Sequence, residues 1–106
     1  MAKKVYKRKY TKEDLNKLTD WMKKKGGQLF VEVVDPSWGD GYTTEVNVLY
    51  LEQAIRQTEK IYEQEQSSTV EATLMFMDTR STIYPVYHID KNHEGIPFEI
   101  FDSIKG

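Results

Sequence analysis

Two histidines and an aspartate near the end of the chain are residue types that commonly bind a metal ion. His88, Asp90 and His93 form an H-x-D-x-x-H pattern, which supplies two imidazoles and a carboxylate, ligand types that bind zinc or iron. The spacing differs from strong signatures such as H-E-x-x-H on a helix, and the pattern falls where a strand is expected to run into a polar loop. We therefore predict no metal site and no cofactor, so adding zinc or calcium should leave the melting temperature nearly unchanged.

Glutamates on the predicted strands are a second source of chemistry. Because side chains alternate along a strand, one sheet face is expected to carry Glu32, Glu45, Glu71, Thr43, Thr73 and His88. Paired carboxylates act as general acids and bases only inside a pocket that shifts their pKa values. No local pattern predicts such a pocket, and a small enzyme using His88 and these glutamates is our third hypothesis.

Other catalytic classes lack the residues that they need. The chain contains no cysteine, which excludes disulfides, thiolate nucleophiles and thiolate metal ligands. No serine stands in a G-x-S-x-G context, and the glycines lack the spacing of a phosphate-binding loop. We therefore predict that the protein is not an enzyme.

Aromatic and methionine residues make protein binding the leading hypothesis. Met75, Met77, Tyr84 and Val86 are expected on the glutamate-bearing sheet face, where methionines adapt to irregular partners and acidic side chains steer a basic partner. Trp38 stands in a predicted hairpin loop, where it either contacts a partner or folds back onto the core. The predicted partner-binding residues are Trp38, Tyr42, Met75, Met77 and Tyr84.

Charge is distributed unevenly along the chain. Residues 1–25 contain ten basic and three acidic residues, whereas residues 26–106 contain five basic and fourteen acidic ones, so the net charge of −2 combines local charges of +7 and −9. This asymmetry makes nucleic-acid binding the alternative function, because lysines attract phosphates and tyrosines stack on bases. The residues that would serve it are Lys3, Lys4, Lys7, Arg8, Lys9, Lys12, Lys23, Lys24 and Lys25.

The length of the chain and its lack of long apolar runs indicate a single-domain protein without a membrane-spanning segment. At 106 residues we expect a basic N-terminal arm over 1–10 and a single α+β domain over 11–106. No apolar stretch follows the charged N-terminus and no run reaches the ~18 residues of a membrane span, so we predict a cytoplasmic protein with no membrane partner. Only three of the fifteen basic residues are arginine, which is typical of AT-rich genomes and indicates a low-GC bacterium or its phage as the source. Together with the protein-binding hypothesis, this predicts a small accessory or inhibitory protein.

Patterns in the first half of the chain predict a helix followed by two strands. Thr11 and Asp14 form a capping box and Gly26-Gly27 terminates the helical periodicity, so a helix is predicted over 12–25. The β-branched and aromatic residues of 28–34 predict a strand, and a loop over 35–41 follows. Alternation over 42–48 favours a second strand and a hairpin, while a helix beginning near Glu45 fits the same periodicity.

The second half predicts a helix over about 50–66, then strands over 69–77 and 82–90. Pro85 cannot donate a ladder hydrogen bond, which places the last of these strands near the sheet edge. We predict an α+β fold, an antiparallel sheet of about four strands with two helices packed on one face, in the order α-β-β-α-β-β plus a short C-terminal tail over 96–104.

Overall fold

Two helices and five strands follow one another along the chain in the order α1-β1-β2-α2-β3-β4-β5. The computed structural model describes residues 10–37, 39–46, 50–65, 69–90 and 96–97. The elements are α1 (Lys12–Lys25), β1 (Gly27–Asp35), β2 (Asp40–Val46), α2 (Leu51–Gln64), β3 (Glu71–Asp78), β4 (Ile83–Ile89) and β5 (Ile96–Pro97). Among these described ranges, neither helix has the length and apolar content needed to cross a membrane.

Helix α1 has the boundaries that its local signals predict. The Thr11 hydroxyl accepts the N–H of Asp14 at 3.0 Å, and the Asp14 carboxylate accepts the N–H of Thr11 at 3.1 Å, which completes the capping box. At the other end Gly26 has φ of 64° and donates its N–H to the Met22 carbonyl at 3.0 Å. Glycine adopts this φ without strain, so the chain turns directly from α1 into β1.

The residues after the first loop form strand β2 and not the beginning of a helix, although the periodicity of the sequence fitted both. β2 pairs antiparallel with β1, placing Val46 opposite Leu29 and Tyr42 opposite Val33. The loop is held by Asp35, whose carbonyl accepts the N–H of Gly39 at 2.9 Å and whose carboxylate accepts the N–H of Ser37 at 3.1 Å. The predicted hairpin is therefore confirmed.

The strands form one antiparallel sheet in the order β2-β1-β3-β4-β5. From β2 the chain crosses β1 through α2 and enters the sheet again as β3, on the other side of β1. The described residues of β5 pair with Tyr87 and His88 of β4, so β4 lies next to the edge strand, and its Pro85 pairs with Met75 of β3. The predicted α+β class, with two helices and four principal antiparallel strands, is confirmed.

Both helices pack on the same face of the sheet. Trp21 of α1 lies 5.6 Å from Phe76 of β3, measured between ring centroids, and Glu59 of α2 accepts a hydrogen bond from the Tyr87 hydroxyl of β4 at 2.9 Å. The strand residues fully buried beneath the helices are Leu29, Val31, Val33, Ala72, Leu74, Phe76, Val86, Tyr87 and Ile89. Because successive strand side chains point to opposite faces, the residues between them must lie on the other face.

A bulge in β4 changes which of its side chains face the helices. Leu74 pairs with Tyr87 whereas Met75 pairs with Pro85, so Val86 is an extra residue without a partner on β3. Tyr84 consequently lies opposite Phe76 and meets Trp21 edge-on at 5.0 Å. The prediction that Tyr84 and Val86 share the outer face with the methionines is wrong, since strict alternation assumed an unbroken ladder.

Asp78 organises the tight turn that joins β3 to β4. One carboxylate oxygen accepts the N–H groups of Arg80 and Thr82, both at 2.9 Å, and the other accepts the Tyr84 hydroxyl at 3.3 Å. Burial alone would raise the pKa of Asp78, but these hydrogen bonds and the charge of Lys25 together hold it below its ordinary value of 3.8.

Replacing Asp78 with asparagine should lower the melting temperature at neutral pH and flatten the loss of stability in acid. A depressed folded-state pKa contributes stability above the ordinary pKa of 3.8, and this contribution is lost as pH falls through the lower folded-state value. Thermal melts of wild type and Asp78→Asn from neutral pH into this acid range would measure it. Asp20→Asn, at an exposed position of α1, is the control, and indistinguishable pH profiles for all three proteins would contradict the role of Asp78.

Candidate functional site

The face of the sheet opposite the helices, called here the outer sheet face, is the site that the fold offers. Within the described ranges its members come from all four principal strands and none of them lies beneath a helix. They are Gln28, Phe30, Glu32, Val34, Thr43, Glu45, Glu71, Thr73, Met75, Met77, Ile83, Pro85 and His88. Their cross-strand partners divide them into an apolar half and a polar half.

The apolar half lies toward the β3–β4 turn. Phe30 pairs with Met75, which in turn pairs with Pro85, and the next row joins Met77 to Ile83. Ile83 is 50% exposed and Pro85 is exposed, whereas Phe30 and both methionines are half-buried. Neighbouring large apolar side chains in contact with solvent form the kind of surface that commonly binds another protein.

The polar half lies toward the opposite end of β3. One cross-strand row runs from Thr43 through Glu32 and Thr73 to His88, and the prediction that these residues share a face is confirmed. Beyond this row, Glu71 pairs with the β1 residue Val34. The chain then leaves β4 at Asp90, whose side chain returns to His88.

Three side chains converge at this end of the outer sheet face. The His88 Nε2 lies 3.2 Å from a carboxylate oxygen of Asp90 and 4.0 Å from a carboxylate oxygen of Glu71. Its other ring nitrogen, Nδ1, lies 2.8 Å from the Thr73 hydroxyl. The imidazole is therefore held at both nitrogens, with its Nε2 turned toward two carboxylates.

The charge of the described strands has a single sign. β1, β2, β3 and β4 contain no lysine or arginine, while the outer sheet face carries Glu32, Glu45 and Glu71. The basic residues of the described ranges lie on the two helices and at Arg80 in the β3–β4 turn. The outer sheet face is therefore acidic beside its apolar half, which is complementary to a basic partner surface.

The predicted partner-binding residues are only partly brought together. Met75 and Met77 share the outer sheet face, whereas Tyr42 lies on the helix side at the sheet edge and Tyr84 packs against Trp21. The hydrogen bond that Tyr42 donates to Glu65 is the main reason that the pKa of Tyr42 rises to about 12, with burial and the charge of Glu65 adding to it. Trp38 lies outside the described residues.

The predicted lysine surface is described only from α1 onward. Lys3, Lys4, Lys7, Arg8 and Lys9 lie outside the described residues, as does His93. Lys12 lines a cavity of about 270 Å³ between the two helices with Tyr10, Leu15, Glu52 and Ile55. Lys23 lies over the ring of Tyr50 at 5.1 Å and Lys25 over that of Trp21 at 5.8 Å, so both act in part as packing for aromatic rings.

Tyr10, assigned to the arm from the sequence, packs against the folded domain. Its hydroxyl donates a hydrogen bond of 2.8 Å to the carbonyl of Val86, the extra residue of the β4 bulge. Burial raises the pKa of Tyr10, and the nearby Asp14 adds to the rise. A truncation that removes only the basic arm must therefore retain Tyr10.

Little salt-dependent binding of duplex DNA is expected near physiological ionic strength. An arm that neutralised four to six phosphates would give a log–log slope of roughly −4 to −5, because each phosphate contributes about 0.9. The local charge of −9 over residues 26–106 opposes such binding, because salt screening shortens the range over which the charges of the arm attract phosphates to about 8 Å. Anisotropy titrations at several salt concentrations should give a slope near zero, and a steep slope that deletion of residues 2–9 abolishes would contradict this expectation.

Sequence reasoning missed five members of this surface: Ile83 and Pro85, because of the bulge in β4, and Gln28, Phe30 and Val34 of β1. Phe30 and Val34 lie on the outer sheet face because Leu29, Val31 and Val33 of the same strand point inward. The alternation within β1 was the available signal, but a run of apolar residues conceals which alternate set is buried. The approach of Glu71 to Asp90 had no local signal, because the two residues are 19 positions apart.

No protein-family model, curated protein or solved structure matches this chain.

Proposed function

We propose that the protein is a non-enzymatic interaction module that binds a basic protein partner through its outer sheet face. The observation that carries the proposal is the combination on one sheet face of an apolar half, formed by Phe30, Met75, Met77, Ile83 and Pro85, with three glutamates, while β1 to β4 as described contain no lysine or arginine. Interfaces of this type combine an apolar centre with a polar rim.

Physical roles differ between the two halves. The apolar half supplies most of the binding free energy, because burying apolar area contributes about 25 cal/mol per Å² before the costs of association. The glutamates select a partner with lysine or arginine side chains, and they disfavour acidic partners through like-charge repulsion. Methionines at positions 75 and 77 let the surface adapt to the shape of that partner.

Two variants and one control test the proposal. Met75→Lys places a charge in the apolar half, and Glu45→Lys reverses an exposed charge on the same face. Asp20→Lys changes the net charge by the same amount as Glu45→Lys but lies at an exposed position of α1. Thermal melts would first establish that all three variants fold.

The tagged proteins are used to capture partners from a lysate of the source organism with and without nuclease. We expect a nuclease-resistant protein that wild type and Asp20→Lys retain and that both outer-face variants lose at least about tenfold. Carbodiimide cross-linking, which joins carboxylates to amines, should link Glu32 or Glu45 to lysines of that protein. Capture that is equal in all variants would contradict the proposal, and capture that nuclease abolishes would favour nucleic acid instead.

A further inference from the structure

Glu71 lies on β3, His88 on β4 and Asp90 directly after β4, yet one ligand atom from each lies within 4.8 Å of the others. These are one imidazole nitrogen and two carboxylate oxygens, and their residues range from half-buried to buried. The His88 side chain is 22% exposed and that of Asp90 is 10% exposed, whereas Glu71 is 40% exposed. The cluster is therefore open to solvent on the Glu71 side and enclosed on the Asp90 side.

The spacing of the donor atoms suits a small divalent ion. Zinc binds imidazole nitrogen and carboxylate oxygen at about 2.0–2.2 Å, so two ligand atoms of a tetrahedral site lie about 3.3 Å apart. The separation of His88 Nε2 from Asp90 Oδ2 is 3.2 Å, which already has this value. The separation from Glu71 Oε1 is 4.0 Å, so the proposed site requires this half-exposed side chain to move closer on binding the ion.

The imidazole is also oriented in the manner of a metal ligand. Ligating histidines are usually held through their second nitrogen by a neighbouring polar group, which sets the ring orientation and the tautomer. In this protein the Thr73 hydroxyl lies 2.8 Å from His88 Nδ1 and occupies that position. Thr73 and His88 are cross-strand neighbours, so the sheet itself maintains the arrangement.

We propose that Glu71, His88 and Asp90 form a binding site for one divalent transition-metal ion of the zinc type. The imidazole favours such an ion over calcium or magnesium, which prefer oxygen ligands alone. Three protein ligands leave a coordination position for water or for an outside donor. The site goes beyond the proposed protein-binding function, because the ion would bind to the isolated chain.

This proposal reverses the expectation drawn from the H-x-D-x-x-H pattern. That pattern takes its ligands from one stretch of chain, whereas the site proposed here takes Glu71 from β3 in place of a second histidine. The two interpretations predict opposite results when metal is added, so a single titration decides between them.

Isothermal titration of the purified full chain with zinc chloride, at mildly alkaline pH where protons compete least, tests the site. We expect one ion per chain and a rise in melting temperature on saturation. Glu71→Gln, His88→Gln and Asp90→Asn should each raise the dissociation constant at least about tenfold. Glu71 is half-exposed, so Glu71→Gln remains informative if substitution of the more buried ligands disturbs folding.

Two further variants separate metal binding from general electrostatics. Thr73→Val preserves the shape of the side chain and every ligand, and it should weaken zinc binding roughly tenfold by releasing the imidazole. Glu45→Gln removes one negative charge elsewhere on the same face and should change the dissociation constant by less than about twofold. No zinc binding by wild type, or equal binding by wild type and Glu71→Gln, would overturn the proposal.

Discussion

Replacing Phe76 with alanine is expected to lower the free energy of unfolding by about 3–5 kcal/mol, the largest effect of any single substitution proposed here. Phe76 is fully buried in β3, and its ring centroid lies 5.6 Å from Trp21 and 6.3 Å from Tyr84. Alanine would leave a cavity between the sheet and α1 and would also remove these aromatic contacts. A domain with a typical stability of about 5–15 kcal/mol would lose a large part of it.

Met75→Ala is the matched control, because Met75 is the preceding residue of β3 and lies half-buried on the outer sheet face. We expect it to cost about 1 kcal/mol, a normal value for a site that solvent already reaches. Urea denaturation measures both variants, and Phe76→Leu provides a milder change if Phe76→Ala fails to fold. Similar losses for Phe76→Ala and Met75→Ala would contradict the assignment of the two sheet faces.

The second large effect is expected at the buried contact between β4 and α2. The Tyr87 hydroxyl donates a hydrogen bond of 2.9 Å to the carboxylate of Glu59, and these two residues are 0% and 6% exposed. Tyr87→Phe removes this donor from a carboxylate that solvent barely reaches, at a cost of about 1–3 kcal/mol. The loss should appear in urea denaturation at neutral pH as a lower midpoint with an unchanged slope.

Tyr50→Phe makes the same chemical change at a side chain that is 62% exposed, and it should alter stability by less than about 0.5 kcal/mol. The double variant Tyr87→Phe/Glu59→Met replaces both polar groups by apolar ones. Its loss in free energy of unfolding should be smaller than the sum of the losses caused by the two single substitutions, because both the buried carboxylate and its hydrogen-bond donor are removed. Strict additivity in this cycle would show that the contact contributes nothing.

The two proposals share Glu71, but their experiments use different residues of the outer sheet face and therefore fail independently. Zinc titration uses the isolated chain and variants of Glu71, His88 and Asp90, none of which enters the partner-capture experiment. Partner capture uses Met75 in the apolar half and Glu45 on β2, which serves as a metal-neutral control in the titration. An absence of metal binding together with partner capture that behaves as expected, or the reverse, therefore identifies which of the two proposals holds.

Local sequence determined the elements of this fold because their signals act over a few residues. The capping box of Thr11 and Asp14 and the φ of Gly26 set the limits of α1 without reference to the rest of the chain. The alternation of buried and half-buried residues in β3 is likewise complete within Glu71–Asp78. From these elements and their order, the α+β class with a one-sided sheet was predicted correctly.

Tertiary structure alone decided which side chains meet. The extra residue Val86 shifts the alternation of β4, so Tyr84 points toward the helices. The local sequence does not predict the position of such a bulge. Cross-strand register places His88 beside Thr73, and the antiparallel pairing of β3 with β4 brings Glu71 to Asp90. These contacts depend on how distant segments align when the apolar face is buried, and the spacing of residues within one segment does not predict that alignment.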